Sequence, residues 1–203
     1  MGITNQEYFL LFLGSYLLVG LLTPLMRKIA LATDVVDKPN TAHKSHKQPV
    51  PYLGGVAIII GIIVVAYSTS LVSNFTVKTF WLATSVLAPA LALGLIGLWD
   101  DMKNLPPLPR FVAQTIAGLF TAFILIATDN VGNPTGSEIF DSVITIIWVV
   151  GICNSINFFD NIDGGAAGTV AVSSTALAFL ALNGDQYLIA ALATVTAGAT
   201  MGF

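Results

Sequence analysis

Seven long apolar runs separated by polar connections dominate this sequence. The runs cover residues 8–30, 53–72, 79–98, 111–128, 142–159, 165–182 and 187–203. A helix needs about 20 mostly apolar residues to cross the hydrocarbon core of a bilayer, and each run comes close to that length. Only helices and closed barrels can satisfy every backbone polar group in lipid, so the pattern predicts an all-α, polytopic transmembrane helix bundle of about seven spans.

Composition supports a membrane protein and bears on its domain organisation. Hydrophobic residues make up 55% of the 203 residues, charged residues make up 9%, and the mean hydropathy is +0.83. Soluble domains carry about 25% charged residues. A set of soluble domains is therefore excluded. Because the apolar runs together suit one bundle, we expect one transmembrane domain over residues 1–203, truncated at its carboxyl end.

The basic residues lie beside only some of the connections and predict the orientation. Those beside the first and third connections are Arg27, Lys28, Lys38, Lys44, Lys47, Lys103 and Arg110, whereas Lys78 lies on the opposite side. By the positive-inside rule these connections are cytoplasmic, and the amino terminus is outside. The start, MGITNQEY, lacks the positive region of a cleavable signal, so the first run is expected to remain a span. Alternation of the spans places the fifth connection in the cytoplasm too.

The first cytoplasmic segment, DKPNTAHKSHKQPVPYLGG at residues 37–55, concentrates positive charge before a run of prolines and glycines. Lys44, His46 and Lys47 can bind phosphate through ammonium and imidazole groups, and the glycine-rich backbone can let that phosphate approach closely. The same charges also serve as a topology signal that binds anionic headgroups. The segment alone leaves both interpretations open.

The second segment, WDDMKNLPPLPR at residues 99–110, places two adjacent carboxylates just past the carboxyl end of the third span. The helix dipole is negative there, so Asp100 and Asp101 need a compensating charge. Magnesium fits, because it is commonly held by one or two carboxylates together with substrate phosphates. A hydrated loop with Lys103 and Arg110 as counter-charges is the alternative.

The third segment, NSINFFDNIDGG, is strongly polar in an otherwise apolar chain. Asn154, Asn157, Asp160 and Asp163 follow one another three residues apart, which on a helix places them along one face. Amide and carboxylate groups on that face can bind a cation or sugar hydroxyls. Gly164 then allows close packing at the start of the next span. A polar helix end in contact with headgroups is the alternative, but ionisable groups at membrane depth favour a functional site.

The direction of the spans adds a reason to place a site at this face. The second, fourth and sixth spans begin there, and helix amino termini attract anions. A basic segment, an acidic pair and three helix amino termini at one face predict a site for a phosphorylated substrate that carries a metal ion.

Taken together, the strings DKPN...HKSHKQPVPYLGG, GLWDDMKNLPPLPRFVAQ and NSINFFDNIDGGAAG resemble the three amino-terminal signature blocks of the polyprenyl-phosphate N-acetylhexosamine-1-phosphate transferases. That family includes phospho-MurNAc-pentapeptide transferase. The resemblance implies transfer of a sugar-1-phosphate from a UDP-sugar to undecaprenyl or decaprenyl phosphate, with release of UMP. This is the first membrane step of cell-envelope polysaccharide synthesis, at the cytoplasmic face of the inner membrane. The string VPYL resembles the UDP-GlcNAc branch, so N-acetylglucosamine is the expected sugar.

The resemblance also implies roles for individual residues. The implied catalytic carboxylates are Asp100, Asp101, Asp160 and Asp163, of which Asp100, Asp101 and Asp160 hold magnesium, with manganese as the alternative ion. The implied substrate-binding residues are Lys44, His46, Lys47, Asn154, Asn157 and Gly164. The expected partners are the UDP-sugar, polyprenyl phosphate and membrane lipid, and not nucleic acid. Whether the protein forms a homodimer is left open by the sequence.

Two departures from the family pattern qualify these expectations. Gly165 stands where the family usually has leucine, which loosens that helix start without removing a functional group. Family members also continue into several more spans, a further aspartate in a Met-Gly-Asp segment and a histidine-containing loop, whereas this sequence stops at GATMGF. We therefore expect an amino-terminal fragment of a larger bundle, and an inactive truncated fragment is one alternative to an enzyme.

Phosphoryl transfer to a lipid phosphate that is mostly dianionic at pH 7 needs little general-base catalysis. We therefore expect direct attack of that phosphate on the sugar-linked phosphorus, with Asp100 orienting the nucleophile and Asp101 holding metal. A phospho-enzyme formed on an aspartate is the competing scheme. The other functional class is a transporter or channel that uses intramembrane carboxylates, which would place acids near the span centres.

Overall fold

The computed structural model describes residues 4–37, 49–72, 76–103, 106–127, 135–159 and 164–203. Within these ranges the chain forms seven helices and two very short strands. The helices are α1 Asn5–Ala32, α2 Gly54–Val72, α3 Val77–Lys103, α4 Pro107–Ala127, α5 Glu138–Phe159, α6 Gly165–Asn183 and α7 Tyr187–Gly202. The strands are β1 Val36–Asp37 and β2 Val50–Pro51.

The helices confirm the all-α, multi-pass bundle. Five of those described, α1, α3, α4, α5 and α6, are long and apolar enough to cross a membrane, and α2 and α7 contain shorter apolar stretches. Large apolar side chains such as Leu21 and Ile139 are about three-quarters exposed, at 74% and 76%. Exposed side chains of this kind, spread along apolar helices, are what contact with lipid requires.

The first helix begins earlier than its apolar run because a capping box fixes its start. The side-chain oxygen of Thr4 accepts a hydrogen bond from the backbone N–H of Glu7 at 3.3 Å, and the Glu7 carboxylate accepts one from the backbone N–H of Thr4 at 2.6 Å. This reciprocal pair satisfies two donors that would otherwise lack an intrahelical partner. Polar residues therefore enter α1, which a pattern of apolar positions does not predict.

The two strands were not expected from an all-α pattern. They pair antiparallel, with Val36 opposite Pro51 and Asp37 opposite Val50. The ladder joins the two ends of the basic first segment, whose residues 38–48 lie outside the described ranges. The chain therefore leaves and re-enters the described structure at one place beside α1.

The described contacts divide the chain into two compact units. Unit 1 comprises Met1–Thr76 and Gly164–Phe203, and unit 2 comprises Val77–Asp163. The expectation of a single domain over residues 1–203 stays a prediction, and each unit is described by itself.

Unit 1 packs α1, α2 and α6 around α7. Its main core cluster combines Tyr8 and Leu11 of α1 with small residues of α6 and α7, and a second cluster joins Val19, Ala57 and Ala199. The Tyr8 hydroxyl also donates a hydrogen bond to the backbone carbonyl of Tyr187 at 3.2 Å. Small side chains let helix backbones approach closely, which is the main source of packing energy between helices in lipid.

Helix α7 lies close to the backbone of α1 at two glycines four residues apart. A methyl group on Gly198 would overlap the backbone carbonyl of Phe12 and the hydroxyl of Ser15. A methyl group on Gly202 would overlap the backbone carbonyl of Tyr16. Only glycine therefore allows α7 to lie against the backbone of α1 at these two positions.

Unit 2 places α4 in contact with both α3 and α5. Gly118 of α4 lies against Ile146 of α5, where a methyl group would come within 3.4 Å of the Ile146 Cα. The start of α5 is fixed by the buried Asp141, whose carboxylate accepts hydrogen bonds from the backbone N–H and the hydroxyl of Thr135 at 3.3 and 2.9 Å. Close packing along α4 is what aligns the polar residues at the other end of α5.

We expect Gly198→Ala to destabilise the protein by about 1–3 kcal/mol, because an added methyl group overpacks the contact with α1. The measurement is the midpoint of SDS-induced unfolding in mixed micelles. Gly14→Ala is the matched control, since a methyl group there meets no atom within 4 Å. That control should be neutral or stabilising, because alanine favours a helix more than glycine does. Equal effects of the two substitutions would contradict the packing.

Candidate functional site

The acidic pair lies inside α3, in its last turn, and not just past its end as predicted. The helix continues to Lys103 because residues 99–103 contain no glycine or proline to stop it. Lys103 also places a positive charge in the last turn, where the helix dipole is negative. The third span therefore ends at Lys103, later than predicted. The directions in which the Asp100 and Asp101 side chains project are set by helical geometry.

The loop predicted for residues 99–110 is correspondingly shorter, because its proline-rich part is the first turn of α4. Pro107 is the first residue of α4 and Pro109 lies in the same turn. The N–H groups of a first helical turn have no intrahelical acceptor, so proline loses no hydrogen bond there. This start brings Arg110 to the end of α3.

Arg110 forms an ion pair with Asp100. The Arg110 Nη1 atom donates to the Asp100 Oδ2 atom at 2.8 Å, and the two side chains are 32% and 13% exposed. The sequence left open whether the acidic pair is balanced by magnesium or by a basic side chain. For Asp100, the structure places Arg110 as a counter-charge.

The two adjacent carboxylates have different surroundings. Successive residues of an α-helix project about 100° apart, so Asp100 and Asp101 cannot both face α4 in the same way. Asp100 is largely buried against Arg110, whereas Asp101 is exposed. The pair therefore offers one carboxylate held in place by a guanidinium group and one carboxylate at the surface.

Gln114 lies one turn after Arg110 on α4 and contacts α5. Its side chain is buried, with the residue 8% exposed, and its Oε1 atom accepts a hydrogen bond from the Asn154 Nδ2 atom at 2.8 Å. The Asn154 Nδ2 atom also donates to the backbone carbonyl of Val150 at 2.8 Å. Two polar side chains of α4 thus join the end of α3 to the last turns of α5.

These contacts bring two of the three sequence segments to one end of unit 2. The carboxylate of Asp100 and the amide of Asn154 are both held against the first two turns of α4, by Arg110 and Gln114. Helices α3 and α5 end there, and α4 begins there. An acidic group, a basic group and two amides consequently occur together at a helix end, where water and substrate can reach a membrane protein.

Gly164 lies in unit 1 and has a conformational role. Its φ of 69° is in the left-handed region, which favours glycine, and it directly precedes α6. Asn157 lies on α5, in its last turn. The remaining predicted site residues, Lys44, His46, Lys47, Asp160 and Asp163, lie outside the described residues. Their assigned roles stay predictions.

A magnesium site on Asp100 and Asp101 is compatible with the donors present. Within the part of the chain that the structure describes, no three His, Cys, Asp or Glu side chains come together as a metal site. Magnesium does not require three, because it usually keeps several waters and binds one or two carboxylates with substrate phosphates. The carboxylate oxygens of Asp100 and Asp101 have the right chemistry, and one oxygen of Asp100 also accepts a hydrogen bond from Arg110.

Sequence reasoning missed Gln114 as a member of this site. The residue closes the second signature string, but it was not singled out. A signal was present, because polar side chains are costly in a span and usually face other helices. A glutamine one turn after an arginine, at the start of an apolar run, has that character.

Comparison with known proteins identifies a family and several relatives. The family described as glycosyl transferase family 4 matches residues 83–203. A probable undecaprenyl-phosphate N-acetylglucosaminyl 1-phosphate transferase of Bacillus subtilis is 29% identical over 95% of this chain and 53% of its own length. A decaprenyl-phosphate N-acetylglucosaminephosphotransferase of Mycolicibacterium smegmatis is 30% identical over 100% of this chain and 54% of its own length.

A relative with a different sugar in its name also matches. A phospho-N-acetylmuramoyl-pentapeptide-transferase of Streptococcus uberis is 26% identical over 77% of this chain and 51% of its own length. The chain therefore spans about half the length of these relatives.

The ion pair between Asp100 and Arg110 can be tested by a double-mutant cycle of Asp100→Asn and Arg110→Gln. We expect each single substitution to destabilise the protein, and the double to cost less than their sum by about 1 kcal/mol, because either single change already removes the ion pair. Unfolding midpoints in mixed micelles give the energies. Lys103→Gln, an exposed charge in the same last turn of α3, should change stability by less than about 0.5 kcal/mol. Strict additivity would show that the pair does not form.

Proposed function

This chain belongs to glycosyl transferase family 4, and we propose that it acts in the transfer of a sugar-1-phosphate from a UDP-sugar to polyprenyl phosphate, with release of UMP. The observation that carries the proposal is the arrangement of Asp100, Arg110, Gln114 and Asn154 at one end of unit 2. All four residues fall inside the stretch that matches the family.

N-acetylglucosamine is the proposed sugar. Two of the relatives, from Bacillus subtilis and Mycolicibacterium smegmatis, carry N-acetylglucosamine in their names. The VPYL string before Gly54 resembles the same branch. The Streptococcus uberis relative has a pentapeptide-bearing sugar in its name.

The surroundings of Asp100 support direct attack by the lipid phosphate. One oxygen of Asp100 is held by Arg110, which makes that carboxylate a poor nucleophile and a fixed partner for the guanidinium group. In the proposed step, an oxygen of the lipid phosphate forms a bond to the sugar-linked phosphorus. The pyrophosphate bond to UMP breaks, and UMP leaves with the electron pair.

Magnesium is the proposed cofactor, held by the exposed carboxylate of Asp101. When bound, it supplies neutralisation of the phosphate charge. Asp100 would then orient the attacking phosphate through Arg110, whose guanidinium group can bind a phosphate oxygen while Asp100 keeps that group in place. Asp160, Lys44 and Lys47 lie outside the described residues, and their roles in binding metal and phosphates stay predictions.

A transporter or channel is not favoured by the positions of the acids. In the described helices, every acidic residue lies in a first or last turn. These residues are Glu7, Asp100, Asp101, Glu138 and Asp141. An ion pathway through the bilayer requires polar groups near the span centres. Carboxylates at helix ends suit a reaction at the membrane surface instead.

The proposal is tested by UMP release in vesicles that contain polyprenyl phosphate, UDP-GlcNAc and magnesium. Because the chain spans about half of its relatives, a chimera that adds the unmatched part of the Bacillus subtilis relative is assayed beside it. We expect release to require both lipid phosphate and magnesium. Asp100→Asn and Asp101→Asn should each lower the rate about 100-fold or more, the usual cost of losing one electrostatic group.

The matched control is Asp185→Asn, which removes a carboxylate from the turn between α6 and α7. Asparagine tolerates the left-handed φ of 55° at this position, so the backbone should be unchanged. This variant should keep the rate of the parent. UMP release without lipid phosphate, or full activity of Asp101→Asn, would contradict the proposal.

We also propose that the active face is cytoplasmic, with the amino terminus outside. Lys78 and Lys103 lie near opposite ends of α3, about 38 Å apart along the helix. In a Cys153→Ser background, Lys103→Cys should react with an impermeant maleimide only in inside-out vesicles, and Lys78→Cys only in intact cells. The reverse pattern would invert the orientation.

A further inference from the structure

The amide of Asn154 has a fixed orientation. Its Nδ2 atom lies 2.8 Å from the backbone carbonyl of Val150, which can only accept a hydrogen bond. The same Nδ2 atom lies 2.8 Å from the Oε1 atom of Gln114. The contact with Val150 alone identifies the nitrogen, so the orientation of Asn154 does not depend on how the Gln114 amide is assigned.

Both donors of the Asn154 amide are therefore used within unit 2. An asparagine side chain has two N–H donors and one oxygen with two acceptor positions. One donor goes to Val150 and the other to Gln114, which leaves the Oδ1 atom as the group that Asn154 can offer to a ligand. Asn154 is an exposed residue, whereas Gln114 is buried. The Asn154 Oδ1 atom therefore lies on the residue that a ligand can reach.

An oxygen in this position selects among the groups of a nucleotide sugar. It can accept a hydrogen bond from a hydroxyl or an amide N–H. It repels a phosphate oxygen, because both atoms are acceptors. Without Gln114, one N–H of Asn154 would be free to turn outward, and the preference would weaken.

We propose that Gln114 is a positioning residue that holds Asn154 as a hydrogen-bond acceptor for a hydroxyl or N–H group of the nucleotide sugar, and not for its phosphates. This inference rests on the proposed function and adds the chemical class of group that Asn154 binds. Gln114 itself acts through Asn154 and does not touch the substrate.

Two substitutions of similar size separate positioning from packing. Gln114→Glu keeps an acceptor for the Asn154 N–H, and its added charge lies one turn from Arg110, a favourable pair on a helix. Gln114→Met fills similar space but cannot accept the hydrogen bond with comparable strength. We expect Gln114→Met to weaken binding of UDP-GlcNAc by this chain in nanodiscs about 5- to 20-fold, the effect of one lost hydrogen bond. Gln114→Glu should stay within about twofold of the parent.

Binding of UDP, UDP-GlcNAc and inorganic pyrophosphate, each with magnesium, shows which part of the nucleotide sugar donates the hydrogen bond to Asn154. Equal weakening of UDP and UDP-GlcNAc by Gln114→Met would place the donor on the uridine. Weakening of UDP-GlcNAc alone would place it on the sugar, and either result supports the inference. If Gln114→Met weakened the binding of inorganic pyrophosphate to the same extent, the inference would be overturned, because Asn154 would then contact the phosphates.

A second cycle tests whether Gln114 acts through Asn154. In an Asn154→Leu background, Gln114→Met should have no further effect on binding, because the positioned group is gone. A full additional loss there would overturn the inference. The Asn154 side-chain N–H signals in ¹⁵N-labelled protein should exchange with solvent faster in Gln114→Met and at the parent rate in Gln114→Glu.

These measurements keep the two proposals apart. Failure of the parent and the chimera to release UMP would contradict the proposed function alone, since binding and amide exchange do not depend on turnover. Normal UMP release together with unchanged UDP-GlcNAc binding by Gln114→Met would overturn the positioning role alone. Absence of any UDP-GlcNAc binding by the parent chain would overturn both.

Discussion

Polar side chains between packed membrane helices are stabilised by hydrogen bonds to one another, and α4 makes such contacts with both neighbouring helices. Arg110 binds the carboxylate of Asp100 on α3, and Gln114, one turn later, binds the amide of Asn154 on α5. In lipid, an unpaired group would cost several kcal/mol by the usual estimates, roughly the stability of a small domain. The site residues of unit 2 are thus held by the same contacts that hold the three helices together.

The position of α4 also gives the two carboxylates of the acidic pair different surroundings. Adjacent residues on a helix cannot share one environment, so Asp100 is turned toward Arg110 while Asp101 stays exposed. Asp100 can orient a reacting group through the guanidinium group of Arg110, whereas Asp101 is the more accessible of the two carboxylates. The two adjacent aspartates therefore differ in chemistry because they differ in their contact with α4.

The spans could be predicted from apolar runs, because lipid imposes a length and a composition that sequence displays directly. Helix ends were harder: Pro107 and Pro109 suggested a loop, although proline is well tolerated in a first turn. The two-residue strands carry no periodicity that could reveal them. The bond between Gln114 and Asn154 joins residues 40 positions apart, and only the packing of α4 on α5 brings them together. Asp160 and Asp163 lie outside the described ranges, so their roles stay predictions.

The glycine contact between α7 and α1 has a consequence for biosynthesis. The surface of α1 around Phe12 and Tyr16 is complementary to Gly198 and Gly202, which are translated almost the whole chain later. At ribosomal rates this interval is about 10 to 40 seconds. The contact of α1 with α7 can therefore form only after all the other described helices have been synthesised. The surface of α1 that α7 covers is thus among the last parts of the described structure to be buried.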